Sequence, residues 1–122
     1  GRGVWRMRPG RKLAGRPGRS AKAVRDTGGL HVDPGLAIPV QRTPDRALLN
    51  RTDPLTVDPE PSAAGYRFEV KMRGWPESRI DCRVEPTMKV GAREEVGRWR
   101  VSMICDGMCT RPSEWRRFTL IE

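Results

Sequence analysis

The chain reads as a mainly β protein. A small antiparallel sheet or barrel-like body spans about residues 65–121, preceded by a long extended basic arm and a proline-rich strap with one or two short helices. Three observations predict this. Apolar residues alternate with polar ones at a period of two through the second half. Six prolines, from Pro34 to Pro61, interrupt the middle. The first thirty residues combine nine basic side chains with one acid and frequent Gly and Pro, a composition that cannot join a core. The organisation is therefore an arm over 1–29, a connector over 30–64 and a β domain over 65–122.

The arm begins GRGVWRMRPGRKLAGRPGRS. Glycine enlarges the unfolded ensemble and proline removes backbone donors, so neither helix nor sheet forms easily and the isolated arm is expected to be disordered. Ser20 as N-cap, helix formers from Ala21 to Asp26 and Gly28 at the stop predict a helix of about two turns, too short to stand alone. In the connector each proline pushes the preceding residue toward extended geometry, which predicts a strap along a surface. Leu30, Val32, Leu36, Ile38 and Val40 are its apolar contacts for a neighbour. In TPDRALLN, Thr43 as cap, Pro44 at the first helical position, Asp45 on the dipole and the Leu48–Leu49 pair predict a second two-turn helix.

The body starts with YRFEVKM, where Tyr66, Phe68, Val70 and Met72 form the buried face. After the GWPES turn, Ile80, Cys82 and Val84 alternate with Asp81, Arg83 and Glu85. TMKV makes a short edge strand beyond Pro86, and AREEVG a charged hairpin loop. In RWRVSMIC the apolar series is Trp99, Val101, Met103 and Cys105. The last strand, EWRRFTLIE, sets Phe118 and Leu120 against Trp115, Arg117, Thr119 and Ile121. Adjacent strands joined in sequence are the expected topology, closing into a small barrel or sandwich.

Function is bounded mainly by charge. Residues 1–30 hold 9 − 1 = +8 of the formal +9, and residues 31–122 hold 15 − 14 = +1. Arginine outnumbers lysine 20 to 4. GC-rich codon usage accounts for such a ratio as readily as phosphate recognition does, but it does not empty the first 25 residues of acids. A cationic arm needs a polyanion, and arms of this kind thread between RNA helices as phosphates replace their counterions. Arg2, Trp5, Arg6, Arg8, Arg11, Lys12, Arg16, Arg19, Lys22 and Arg25 are the expected RNA-binding residues. Trp5 stacks on a base or anchors in a protein groove.

Arg98 and Arg100, with Arg116 and Arg117, form a second basic patch if their strands are neighbours, edged by Trp75 or Trp115. The neutrality of the body favours instead a solvated face paired with Glu69, Glu85, Glu94, Glu95 and Glu114.

Other chemistry finds little support. One C-x3-C pair, Cys105 and Cys109, with distant Cys82 and His31 matches no recognised zinc spacing, and the odd cysteine count argues against a secreted disulfide scaffold. Cys82 and Cys105 read as small inward-facing hydrophobes. No phosphate loop or nucleophile elbow occurs, so no enzyme activity, cofactor or small-molecule substrate is expected. No apolar run reaches the length of a membrane span. The sequence thus predicts a non-catalytic structural protein of a ribonucleoprotein, a ribosomal protein in class, with RNA, rRNA in particular, on the arm and neighbouring subunits on the connector and β body. An intracellular setting follows, with the mitochondrion the candidate organelle if the arm is a processed mature start. Two alternatives stand beside it: an accessory subunit of a respiratory or ATP-synthase complex, and a free single-stranded nucleic-acid-binding module. A polybasic contact with anionic lipid is weaker without an apolar helical face.

Overall fold

The computed structural model describes residues 31–122 and the strand segments Arg8–Gly10 (β1) and Lys12–Ala14 (β2), which pair antiparallel. The remaining strands are β3 (His31–Val32), β4 (Ala47–Asn50), β5 (Pro54–Thr56), β6 (Gly65–Met72), β7 (Arg79–Arg83), β8 (Thr87–Lys89), β9 (Val96–Cys105), β10 (Met108–Cys109) and β11 (Arg116–Ile121). The protein is mainly β, and no helix occurs among the described residues. None is therefore long and apolar enough to cross a membrane there.

Ten-residue β9 is the axis of the larger, seven-stranded sheet. One of its edges pairs with β6 in an unbroken antiparallel register from Met72–Gly97 to Gly65–Ile104, and β7 adds outside β6. The opposite edge is shared. β11 pairs with its first half and carries β4 in parallel, while β10 pairs with its end and carries β3 in parallel. The sheet is accordingly mixed rather than purely antiparallel.

Between β10 and β11 the shared edge is kept hydrogen-bonded by side chains. Thr110 and Ser113 donate backbone N–H groups to the carbonyls of Met103 and Val101, and their hydroxyls accept from the N–H groups of the same two residues at 3.0 Å. Both hydroxyl residues are buried. The hydroxyls substitute for the ladder carbonyls that the irregular Thr110–Ser113 turn does not present, so no buried donor of β9 is orphaned there.

The even-numbered residues of β6 and the odd-numbered ones of β9 point to one face, as the alternation predicts. Phe68, Val70, Met72, Trp99, Val101, Phe118 and Leu120 are all at most 2% exposed. Phe68 and Trp99 stack with ring centroids 6.1 Å apart. Gly97 lies between Met72 and Phe118 in this layer, and a Cβ there would collide with the Met72 sulfur and crowd the Phe118 ring. The second sheet, β5 paired with β8, contributes Leu55, Val57, Met88 and Val90 to the same core. Each such side chain contributes roughly 1.5–3 kcal/mol by leaving water.

Three expectations are corrected. The TPDRALLN stretch ends in strand β4 rather than a helix, because its capping groups are taken by other strands. The Thr43 hydroxyl accepts from Thr56 N–H at 2.9 Å, the Asp45 carboxylate from Arg117 N–H at 2.7 Å, and Arg46, at a φ of 64°, donates its N–H to the Arg117 carbonyl. β7 turns the other way from its apolar pattern. Its pairing with β6 sets Arg79, Asp81 and Arg83 on the core side, where Arg79 and Arg83 donate to the carbonyls of Val90 and Thr87, and leaves Ile80 and Cys82 on the outer face. AREEVG links β8 in one sheet to β9 in the other, so it is a crossover and not a hairpin loop. The helix expected at Ser20–Gly28 lies outside the described residues.

Replacing Ser113 by Ala, or Thr110 by Val, is expected to lower stability by about 1–3 kcal/mol each, since a buried N–H of β9 loses its acceptor. Thr110→Ser keeps the acceptor and should cost less. Chemical denaturation of the three variants measures this.

Candidate nucleic-acid interface

The outer face of the larger sheet is built by the residues that alternate with the core. Because the registers are continuous, Lys71 of β6 lies directly opposite Arg98 of β9, and Arg98 directly opposite Arg117 of β11. Three cations thus form a row across three adjacent strands. Like charges in directly opposed positions destabilise a sheet, so this row works against the fold unless an anion sits over it.

Arg117 has one partial counter-charge, an ion pair with Asp45 at 3.4 Å between half-exposed side chains. Among the described residues no carboxylate lies within 4.0 Å of Lys71 or Arg98. With Arg73, these three cations line a groove of about 280 Å³ floored by Met72, Val96 and Gly97, and no acid is among its lining residues.

The next position along the strands differs. Glu69 faces Arg100 in the register, accepts from its Nε at 2.8 Å, and also lies 3.8 Å from Arg67. Burial would raise the Glu69 carboxyl, but hydrogen bonds from Arg100 and Ser78 and the charges of Arg100 and Arg67 outweigh it, holding the group below its ordinary range. Trp115, just before β11, places its ring against both arginines of β9: the guanidinium carbons of Arg98 and Arg100 lie 4.6 and 4.5 Å from its centroid. Cation–π contact orders two side chains that would otherwise sample many rotamers; Arg100 also donates its Nε–H to Glu69, whereas Arg98 has no carboxylate partner among the described residues.

The patch that the sequence allows if the strands are neighbours, though it favours a solvated face paired with acids, takes shape with different membership. Arg98, Arg100, Arg117 and Trp115 share it, and Lys71, Arg73 and Arg67 join it. Arg116 does not, because its register partner is Trp99; its guanidinium turns to the core side and donates to the Gln41 and Thr43 carbonyls. Trp75 is also elsewhere, packed against the core beneath Arg79. Of the acids expected to neutralise the patch, Glu69 alone pairs with its arginines, while Glu85 pairs with Arg83. Lys71 was missed because it reads as the wet side of an ordinary strand; its signal is the cross-strand register, which no single segment carries.

The cysteines do not converge. Register through Met108 aligns Cys105 with His31 on one face, while Cys109, opposite Ile104, lies on the other together with Cys82. Burial pushes the Cys82 thiol up to about 12 and Cys105 to about 11, and raises Cys109 as well. Thiolates are disfavoured at all three, which suits packing rather than nucleophilic chemistry. Of the expected arm residues, Arg8 lies in β1 and Lys12 in β2. Arg2, Trp5, Arg6, Arg11, Arg16, Arg19, Lys22 and Arg25 lie outside the described residues.

No family model, characterised protein or solved structure matches the chain.

Glu69→Gln tests the local electrostatics. A depressed folded pKa stabilises the protein above the ordinary carboxyl value near 4.5, and that stabilisation disappears as pH falls through the folded value. The variant should therefore be less stable than the parent at pH 7, with the gap closing below pH about 4 in pH-dependent thermal melts.

Proposed function

We propose that this chain is a non-catalytic structural component of a ribonucleoprotein, ribosomal in class, in which the basic arm and the outer face of the sheet contact RNA. The row Lys71–Arg98–Arg117 carries the reading, because three opposed cations across a β-sheet, with Asp45 beside Arg117 as their one counter-charge, have the charge and spacing to contact phosphates. Charge segregation in the chain supports the same partner, since residues 1–30 hold +8 while residues 31–122 hold only +1.

Phosphate contacts position a protein on RNA without reading sequence, which suits a structural role. Val32, Ile38 and Val40 remain 41–60% exposed along the connector and supply apolar contacts for a neighbouring subunit. An accessory role in a membrane-bound complex would place acidic protein or lipid headgroups on the same cations, and nuclease treatment separates the two. Release from its assembly by RNase supports the RNA reading, whereas retention in a membrane fraction overturns it.

In purified form, the full chain should bind RNA with an affinity that falls steeply with salt. Deleting residues 1–25 should abolish incorporation into the assembly and flatten the slope of log K against log salt. Changing Lys71, Arg98 and Arg117 together to Gln should reduce that slope by about 2, at about 0.7 per phosphate contact on a single strand. Filter binding or anisotropy across a salt series gives both numbers, and an absence of RNA binding at low salt would reject the proposal.

A further inference from the structure

Resting on that reading, we infer that the outer face takes single-stranded RNA in preference to duplex, with an unpaired base stacked on the Trp115 indole and its phosphate held in the adjacent groove. The two parts of such a site are contiguous. Arg98 lines the groove and also lies on the Trp115 ring, so one side chain joins the phosphate-binding and base-stacking elements. Trp115 is partly exposed on the same face as the cation row.

The geometry selects among nucleic acids. A duplex offers phosphates to a basic surface but keeps its base faces stacked, so an aromatic ring beside the phosphate clamp gains contact only from an unpaired base. Every base has a π face, so the platform tolerates sequence. Arg98 and Arg100 are already ordered by the indole, which lowers the entropy lost when a strand binds. The groove, of about 280 Å³, has room for one backbone phosphate beside the indole.

The chain's own arm is a poor occupant. Nine bases against one acid in residues 1–30 would be repelled by Lys71, Arg73, Arg98 and Arg117. Acidic peptide would satisfy the cations but make no specific use of the indole.

The test compares full-length protein and variants on a short oligouridylate and on an RNA duplex of equal length, by anisotropy at fixed salt. Trp115→Leu should lose about tenfold in affinity for oligouridylate and clearly less for the duplex, which keeps only the phosphate contacts, while Trp115→Phe keeps most of the single-strand affinity. Equal losses on both ligands, or none on either, overturn the stacking inference while RNA binding by the parent still stands. Binding of neither ligand by the parent at low salt overturns the RNA reading itself. If Trp115→Leu does not fold, the emission of Trp115, taken as the difference between parent and Trp115→Phe, decides the question. Quenching by oligouridylate supports the stack, and unchanged emission rejects it.

Discussion

Everything in this fold is hung on β9 and on the fact that its backbone is hydrogen-bonded along both edges. The β6 edge is continuous, but the other is divided between β11 and β10, which leave the middle of the strand facing an irregular turn. Two hydroxyls, on Thr110 and Ser113, close that interval. Without them Val101 and Met103, both in the core, would carry buried N–H groups with no acceptor, and the ladder that aligns β11 with β9 would be interrupted next to its start. A few polar atoms thereby hold the register that the apolar residues use.

The outer face inherits its layout from this register. Lys71, Arg98 and Arg117 each precede a residue of the buried layer: Met72, Trp99 and Phe118. Packing fixes the parity of each strand, and the hydrogen-bond ladders fix their mutual offset, so the three cations cannot avoid one another. The small net charge of residues 31–122, +1, conceals this arrangement. The acids of the body are mostly in turns and crossovers, such as Glu94, Glu95 and Asp106, while five of the six charged side chains on the outward positions of β6, β9 and β11 are basic.

The sequence makes the longer strands visible because period-two alternation is a local property with a local cause. Tyr66 to Met72 and Phe118 to Leu120 bury the residues that the pattern selects. β7 defeats the same logic. Being an edge strand, it buries little on either face, and the long arginine stems on its core side reach carbonyls of β8 that its own segment does not reveal. TPDRALLN carries sound helix signals that lose to tertiary hydrogen bonds from residues more than ten positions away. The CDGMC stretch draws attention as a cysteine pair, yet its Asp106–Gly107 centre, with φ of 49° and 75°, is a two-residue hairpin turn joining β9 to β10. The candidate site was legible as four arginines and a tryptophan. Which of them share a face depended on strand order, and adjacency of β9 and β11 is a long-range fact.

Codon bias toward arginine explains the abundance of guanidinium groups but not their sign pattern on this face. Folding is served by polar residues at the outward positions 71, 98 and 117, and better by opposite charges there than by like ones. A carboxylate at position 98, between the other two, would convert two opposed like-charge pairs into two attractive ones, each favourable by roughly 0.2–1 kcal/mol relative to a neutral pair. The neighbouring position shows that the sheet accepts such a solution, since Glu69 sits opposite Arg100 at 2.8 Å. The same β-sheet thus neutralises one cross-strand position and leaves at the adjacent one three cations with a single counter-charge, Asp45 beside Arg117, next to an indole that orders Arg98 and Arg100. Stability and composition account for the first position. The second is left without such a local account, and the proposed contact with an external anion rests on it.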